Sequence, residues 1–328
     1  MTVVRTVLGD IAPSELGRVD YHEHLFQRSP LLPGDDLDDE ARSGTELGIL
    51  KASGFDAMID ATPVGLGRRP EALARLSLEW GVRVVATTGL HRDAHYSDQA
   101  WALDVTEWGP LFTRELTVGI ATSDADYAGT TLEDVAVGGV RAGLLKAGID
   151  YWSITPSERR VLEGITVAHA ATGAPVMVHT EECSAALEVL ELLRTLGVAS
   201  RRVVIAHADR NPDPGLHVAI AQTGAYVGYD GAGRHRNWPD SVLIDSLAAV
   251  AEAGFAGHVL LGADVAWASR YRSYGGMPGL GYLGTRFLPR LVERLGSDAV
   301  HMIVVDNAAS FLTWATDNPV AHRTPEDS

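Results

Sequence analysis

The chain has 328 residues, 46% of them hydrophobic and 21% charged, which is typical of a folded protein with a sizeable core. Its formal net charge of −16, without any basic run, argues against binding to nucleic acid, and a lone cysteine, Cys183, suits a reducing cytosol. Because the sequence has neither a secretion signal nor a long apolar run, we expect a cytoplasmic protein that acts on a small molecule and binds no membrane.

Short apolar segments alternate along the chain with segments of helical periodicity. This alternation predicts parallel strands joined by crossover helices, and eight strands are enough to close a barrel. A doubly wound open sheet would share the alternation, but the glycine-rich fingerprint of dinucleotide-binding folds is absent after the first strand. We therefore predict an α/β fold, a single (β/α)8 TIM barrel. The predicted strands are Gly17–Tyr21, Phe55–Ala61, Val82–Thr88, Arg141–Lys146, Ala174–His179, Arg202–His207, Ala225–Tyr229 and His258–Gly262.

The segments between these strands have the periodicity of helices that pack on a sheet. One begins with Thr155-Pro156-Ser157-Glu158, in which a capping side chain, an early proline and an acid are typical of a helix N-terminus. No linker or repeat divides the chain, so we expect residues 1–328 to form one domain. The predicted helices are Ala41–Ser53, Arg69–Trp80, Gln99–Leu116, Ser157–Ala171, Glu181–Leu196, Pro214–Thr223, Ser241–Ala253 and Tyr282–Leu295.

Two histidines, His22 and His24, follow the first predicted strand. Residues two apart in an extended segment face the same side, so both imidazoles could bind one metal ion, although such a pair alone is weak support. Three further strand ends carry metal-binding residue types, at His179, His207 and Asp264. The carboxyl ends of barrel strands meet at one rim, where barrel enzymes have their active sites. Together, the four strand ends predict a metal site.

Lys146 ends an apolar strand, after Gly143-Leu144-Leu145. An unpaired ammonium is costly to bury, so we expect this lysine to be neutralised, paired or modified. Addition of CO2 to the neutral amine would give a carbamate, a carboxylate-like ligand that can bridge two cations. The alternative is a lysine whose ammonium reaches the rim and pairs with Asp230 or Asp264.

This ligand set, in this order and at these strand ends, resembles that of the phosphotriesterase family within the amidohydrolase superfamily, which includes lactonase and esterase relatives. The resemblance extends from Leu8-Gly9-Asp10 to the closing segment Asp306–Phe311. It implies two divalent metals, zinc by ligand chemistry or else manganese, cobalt or iron. A metal-bridging hydroxide would be the nucleophile, and Asp264 would orient it and pass on its proton. By resemblance, His22, His24 and Asp264 hold a buried metal, His179 and His207 hold a more exposed one, and N6-carboxylated Lys146 bridges them.

Two loops, Asp230–Trp238 and Trp267–Met277, follow the last two predicted strands, where barrel enzymes determine specificity. Both are basic and aromatic in an otherwise acidic chain. We hypothesise that some of their arginines hold a carboxylate or phosphate of the substrate and that a tryptophan packs against its apolar part. The alternative is that these arginines pair with surface acids. The candidates are Arg234, Arg236, Arg270 and Arg272, with Trp238 and Trp267.

Lactonases that this chain resembles commonly have a tyrosine shortly after the third strand, where this chain has Gly89-Leu90-His91. The departure counts against hydrolysis of a simple acyl-homoserine lactone. His91 has two interpretations, a related polar role near the metals as a substrate-binding residue, or a place on the rim alone. Asp230 is a candidate to contact the leaving group or to support the mouth of the site, with a salt bridge to Arg234 as the alternative.

The resemblance implies a hydrolase of lactones or carboxylic esters, acting on a substrate that bears an anionic group. Phosphotriester or phosphodiester hydrolysis and amide hydrolysis are the alternatives within the same site. A protein of another class, which keeps the metals for structure and binds without turnover, is disfavoured because all the ligands and Asp264 are present. Dimers are frequent among relatives, so a homodimer is also considered.

Overall fold

The structure, a computed structural model, describes residues 2–96, 108–123 and 135–314 of the chain. A short antiparallel hairpin that the sequence analysis did not predict comes first, with strand β1 at Val4–Thr6 and β2 at Gly9–Ile11. Eight further strands pair in chain order, each parallel to the next. Their bounds are β3 Val19–Glu23, β4 Ala57–Asp60, β5 Arg83–Gly89, β6 Leu144–Ile149, β7 Val176–Thr180, β8 Val203–Ala206, β9 Tyr226–Tyr229 and β10 Val259–Leu261.

The two edge strands of this sheet, β3 and β10, come together and close it into a barrel. The backbone N–H of Asp264, just past β10, donates to the carbonyl oxygen of His22 on β3 at 2.9 Å. Gly262 permits this approach, because a Cβ there would lie 2.9 Å from the His22 backbone nitrogen. The prediction of an α/β barrel with eight parallel strands is therefore confirmed.

Helices follow the strands much as the sequence predicts, with one clear correction. The helix predicted from Glu181 begins only at Ala186, because positive φ angles at Glu182, Cys183 and Ala185 break the chain into a 3-10 turn first. The start of the helix predicted at Gln99–Leu116 lies outside the described residues. The α-helices are α1 Glu40–Ala52, α2 Pro70–Trp80, α3 Trp108–Thr117, α4 Pro156–Thr172, α5 Ala186–Thr195, α6 Pro214–Gln222, α7 Asp240–Val250, α8 Leu288–Leu295, α9 Ser297–His301 and α10 Asn307–Leu312.

Strand residues alternate between two apolar cores. On β8, Val204 and Ala206 belong to the inner core, whereas Val203 and Ile205 belong to the outer core that contains the apolar faces of the helices. Val4 of the hairpin and Phe311 of α10 join the inner core, so elements beyond the predicted barrel complete its packing.

Gly89, the last residue of β5, allows β5 to approach Lys146 on β6. Its φ is +113°, and a Cβ would lie 1.9 Å from the Lys146 carbonyl oxygen. We expect Gly89→Ala to lower the free energy of unfolding by about 3 kcal/mol, because it combines a steric clash with an unfavourable backbone conformation. Urea denaturation measures this loss.

A matched control for this variant is Gly81→Ala. Gly81 also has a positive φ, +62°, but a Cβ there would meet no heavy atom within 4 Å. This change should cost about 1 kcal/mol through the backbone alone. Equal losses in the two variants would contradict the steric explanation.

Candidate active site

A cavity of about 310 Å³ opens at the carboxyl ends of the barrel strands. Its wall is largely polar, with histidines, arginines and carboxylates beside a few apolar side chains. Barrel enzymes have their active sites at this end because the loops that follow the strands can vary there without disturbing the barrel. The sequence candidates that line the cavity are His22, His24, His91, His179, His207, Arg234, Asp264 and Trp267.

Four histidine rings and one carboxylate converge on this cavity. The ring centroid of His207 lies 4.8 Å from that of His22 and 4.5 Å from that of His179. His24 is 5.6 Å from His22 by the same measure, and Asp264 Oδ1 lies 3.5 Å from His24 Nε2. The donor atoms of His22, His24 and Asp264 all lie within 4.8 Å of one another. Imidazole and carboxylate donors grouped in this way suit a transition metal such as zinc.

Acceptor groups next to the histidines determine which ring nitrogen carries the proton. Thr62 Oγ1 donates to the Phe26 carbonyl oxygen at 2.8 Å, so it accepts from His24 Nδ1, which is 2.7 Å away. Glu181 Oε1 lies 2.7 Å from His179 Nε2, and an ionised carboxylate only accepts. His24 Nε2 and His179 Nδ1 therefore keep lone pairs that can bind a cation.

Asp230, which follows β9, lies next to two further histidines. Its Oδ1 lies 2.7 Å from His207 Nδ1 and its Oδ2 lies 3.2 Å from His22 Nδ1. The Tyr21 hydroxyl and the His207 backbone N–H also donate to this carboxylate. Nε2 of each histidine is thus turned away from Asp230 and is available to a cation.

The expectation that Asp230 contacts the substrate does not fit this placement. The side chain is fully buried, and it does not line the cavity. The alternative, a salt bridge to Arg234, is not found in the described part of the chain, where Arg234 pairs with Asp264 instead. The Asp230 oxygens instead face two imidazoles, a tyrosine hydroxyl and a backbone amide, an arrangement suited to positioning the two rings.

Lys146 on β6 is 1% exposed, and its amino group lies among the histidines. Nζ is 3.2 Å from His22 Nε2 and 3.2 Å from Met177 Sδ. Among the described residues no carboxylate forms an ion pair with it, so the alternative of pairing with Asp230 or Asp264 is not found. Burial lowers the pKa of Lys146 to about 8, although the charges of Asp264 and Asp230 act in the opposite direction.

Burial also keeps three of the histidines, His22, His179 and His207, neutral. It lowers the pKa of His22 to about 4 and that of His179 to about 3, and it brings the pKa of His207 well below the ordinary value. Burial raises the pKa of Asp264, but the charge of Arg234 brings it well below its usual range. These three neutral imidazoles therefore lie beside an ionised carboxylate, and these are the protonation states that metal ligands require.

Three guanidinium groups surround Asp264. Arg210 donates to Oδ2 at 3.0 Å, Arg234 donates to the same oxygen, and Arg270 donates to the Asp264 carbonyl oxygen at 3.0 Å. Oδ1 remains on the side of the histidines. Arg210 was not predicted as a site residue. It lies three residues after His207, in a loop that follows a barrel strand, and this position in the sequence was an available signal.

Two of the metal-ligand candidates have strained backbone conformations. His207 has φ of +62° and Asp264 has φ of +42°, the left-handed region that non-glycine residues seldom adopt. Each such residue costs about 1–3 kcal/mol, and strain of this kind is concentrated at functional sites. Here the surroundings maintain it, since the Asp264 N–H donates to His22 and the His207 N–H donates to Asp230.

The other substrate candidates lie outside this cavity. The Arg270 guanidinium is held by the carbonyl oxygens of Asp264 and Val265, and Arg272 lines a separate groove on the protein surface. Trp238 is 41% exposed, and its indole N–H donates to the Arg210 carbonyl oxygen at 3.1 Å. Composition of the loops could not separate these side chains from Arg234 and Trp267, because the path of each loop decides which of them face inward.

Arg92, His95 and Glu181 line the cavity as well, and the sequence analysis assigned them no role. Arg92 Nε lies 3.0 Å from Glu181 Oε1, so this arginine holds the carboxylate that orients His179. Arg92 and Glu181 each follow a candidate histidine by one or two residues, which was the signal available in the sequence.

Residues 2–312 match the sequence model of the phosphotriesterase family. The phosphotriesterase homology protein of Escherichia coli strain K12 is 30% identical over 277 residues, covering 84% of this chain and 89% of that protein. The phospho-furanose lactonase of Mycoplasmopsis synoviae strain 53 is 28% identical, covering 94% of this chain and 91% of that protein. The crystal structure of a lactonase from Listeria monocytogenes matches with a TM-score of 0.86 at 28% identity, covering 95% of this chain and 99% of that one.

This chain therefore belongs to the phosphotriesterase family. It is a metal-dependent hydrolase that acts on small molecules, which confirms that part of the prediction from sequence. Within residues 2–96, 108–123 and 135–314, no helix has the length and apolar character needed to cross a membrane.

Asp230→Asn should weaken zinc binding about tenfold, because His22 and His207 would no longer share an ionised acceptor that orients both rings. Titration of the metal-free protein with zinc in the presence of a competing chelator measures this affinity. Asp245→Asn is the control, since the Asp245 side chain is 73% exposed and pairs with Arg294 at the surface. Wild-type affinity in Asp230→Asn would show that this carboxylate does not position the histidines.

Proposed function

We propose that this hydrolase cleaves lactones or carboxylic esters whose substrates carry an anionic group, with two divalent metal ions at the site. The observation that carries the proposal is the arrangement of the histidines. Each of the four has one ring nitrogen next to a protein acceptor, and the other nitrogen is left for a cation. Zinc suits this donor set, and manganese, cobalt or iron would be accommodated by the same ligands.

The proposed metal ligands follow the family resemblance. His22, His24 and Asp264 would hold one ion, and His179 and His207 would hold the other. Lys146, N6-carboxylated, would bridge the two. Its amino group lies 3.2 Å from His22 Nε2 without a carboxylate partner among the described residues, so a carbamate at this position would supply the negative charge that two cations need.

Two bound cations would supply a nucleophilic water near neutral pH and would polarise the carbonyl group of the substrate. The protein's own residues prepare the site for this chemistry. Asp264 has Oδ1 on the side of His24 and Oδ2 fixed by Arg210 and Arg234, so it can orient the attacking water through Oδ1. The candidate ligands are buried, and burial strengthens the electrostatic interactions between them.

The arginines of the cavity wall offer a binding surface for the anionic group of the substrate. Arg92, Arg210 and Arg234 all line the cavity, in a chain whose net charge is −16. Arg234 also lies beside Trp267, with its guanidinium carbon 5.5 Å from the ring centroid. Carboxylates and phosphates favour such planar donors, and the indole offers an apolar surface next to them. The cavity volume of about 310 Å³ favours a small substrate.

The chain contains just two lysines, Lys51 and Lys146, which allows a direct test of the metal site. We expect the purified protein to contain about two metal ions and to hydrolyse members of a lactone and ester panel. Lys146→Ala should lose at least one ion and at least about 100-fold in kcat/KM, because the bridging ligand is gone. Elemental analysis and turnover assays measure both quantities.

Lys51→Ala is the matched control, because Lys51 is partly exposed and pairs with Asp56. In protein supplied with 13C-labelled bicarbonate, a carbamate signal should be present in wild type and Lys51→Ala and absent in Lys146→Ala. Metal without turnover on lactones, esters, phosphotriesters and amides would overturn the enzymatic proposal. If phosphotriesters or amides are hydrolysed faster than lactones and esters, the proposed substrate class is wrong and the faster class takes its place.

Arg234→Met should raise KM about tenfold or more for a phosphorylated lactone, while KM for its uncharged counterpart changes little, because one guanidinium contact to the anion is lost. Steady-state kinetics on the two substrates gives the ratio. Arg272→Met is the control, since Arg272 lines a separate groove. Equal effects of Arg234→Met on both substrates would mean that Arg234 acts only through Asp264.

A further inference from the structure

His91 lies in a turn that several backbone contacts hold in place. Its N–H donates to the Tyr96 hydroxyl at 2.9 Å, and that hydroxyl donates to the Val64 carbonyl oxygen at 2.9 Å. The N–H of Leu90, the preceding residue, donates to the Lys146 carbonyl oxygen at 3.0 Å. The tyrosine of this segment is thus used to fix the turn, and the imidazole of His91 is the side chain that lines the cavity.

The strand next to this turn packs against it closely. A Cβ at Gly148 on β6 would lie 2.5 Å from the Arg92 backbone nitrogen and 2.9 Å from the His91 carbonyl carbon. Only a glycine at this place lets β6 and the turn pack together. The His91 backbone is therefore closely packed against β6, and this packing favours a single position of the turn.

A backbone hydrogen bond determines which nitrogen of the His91 ring carries the proton. The backbone N–H of Arg92 donates to His91 Nδ1 at 2.8 Å. Because an N–H can only donate, Nδ1 must hold a lone pair, and the single proton of the neutral ring lies on Nε2. In the described part of the chain no group accepts from Nε2. The ring thus offers one N–H donor to the cavity.

The neighbours of this ring place it beside the proposed metal ligands. Its centroid lies 4.2 Å from that of His179 and 3.9 Å from that of His95. His95 is itself held by Ser29, whose Oγ lies 2.9 Å from His95 Nδ1. The His91 ring is therefore confined between two other rings. Its Nε2–H faces the cavity, and a substrate must enter this cavity to reach His179.

We propose that His91 is a catalytic residue whose Nε2–H donates a hydrogen bond to an oxygen of the scissile acyl group. This rests on the proposed ester or lactone hydrolysis. Negative charge develops on that oxygen during attack, and a donor that is already oriented stabilises the transition state more than the ground state. The proton stays on Nε2, so His91 transfers nothing and needs no change of charge during the reaction.

Two amide variants separate the nitrogen positions of the ring. The side-chain nitrogen of glutamine can occupy the place of Nε2, whereas the shorter asparagine places its amide near Nδ1. His91→Gln should keep kcat/KM within about tenfold of wild type. His91→Asn and His91→Phe should lose about 100-fold, chiefly in kcat, because no donor reaches the acyl oxygen. Metal content should be unchanged in all three.

A second measurement does not depend on turnover. In the NMR spectrum of protein labelled with 15N-histidine, the His91 signals can be identified because they are missing in His91→Gln. They should be those of a neutral ring protonated at Nε2. An Nδ1–H tautomer, equal activity of His91→Gln and His91→Asn, or full activity of His91→Phe would each overturn the proposal. If the wild type hydrolyses no lactone or ester, the proposed function fails and the role of His91 fails with it. If the wild type is active and the variants are unaffected, only the role of His91 fails.

Discussion

One buried carboxylate, that of Asp230, connects the parts of the site. It accepts from His207 on the β8 side and Tyr21 on β3, and it lies 3.2 Å from His22 Nδ1. A desolvated carboxylate without partners would be strongly destabilising, so these contacts are needed for the fold as well as for the site. Closing the barrel brings β3 next to the last strands, and that closure delivers the partners. Architecture and ligand geometry therefore depend on each other.

The surroundings of Asp264 show how this acidic chain uses its basic residues. Arg210 and Arg234 both donate to Oδ2, which keeps the carboxylate ionised and leaves Oδ1 toward the histidines. The same guanidiniums line the cavity, so the groups that orient Asp264 also form the positive wall that a substrate meets.

The pattern of strands and helices in the sequence was sufficient to predict the fold class and to predict which strand ends lie close together. Residues such as His179 and His207 end predicted strands, and parallel strands in a barrel present all such ends at one rim. Loop side chains followed no such rule. Arg234 and Trp267 reach the cavity, whereas Arg272, in an equally basic loop, lies in another groove. Arg210 was not predicted as a site residue, although it lies only three residues after the candidate ligand His207.

By itself, the sequence determined an eight-stranded α/β barrel, the family, and the residue types collected at one end, because strand periodicity and the order of ligands along the chain are local properties. Only the tertiary structure decided which ring nitrogen of each histidine has a protein acceptor, that Asp230 lies behind the candidate ligands and does not line the cavity, and that the ring of His91 does line it. These features depend on hydrogen bonds between residues far apart in the chain, such as Tyr21 and Asp230, and no local pattern specifies a contact of that kind.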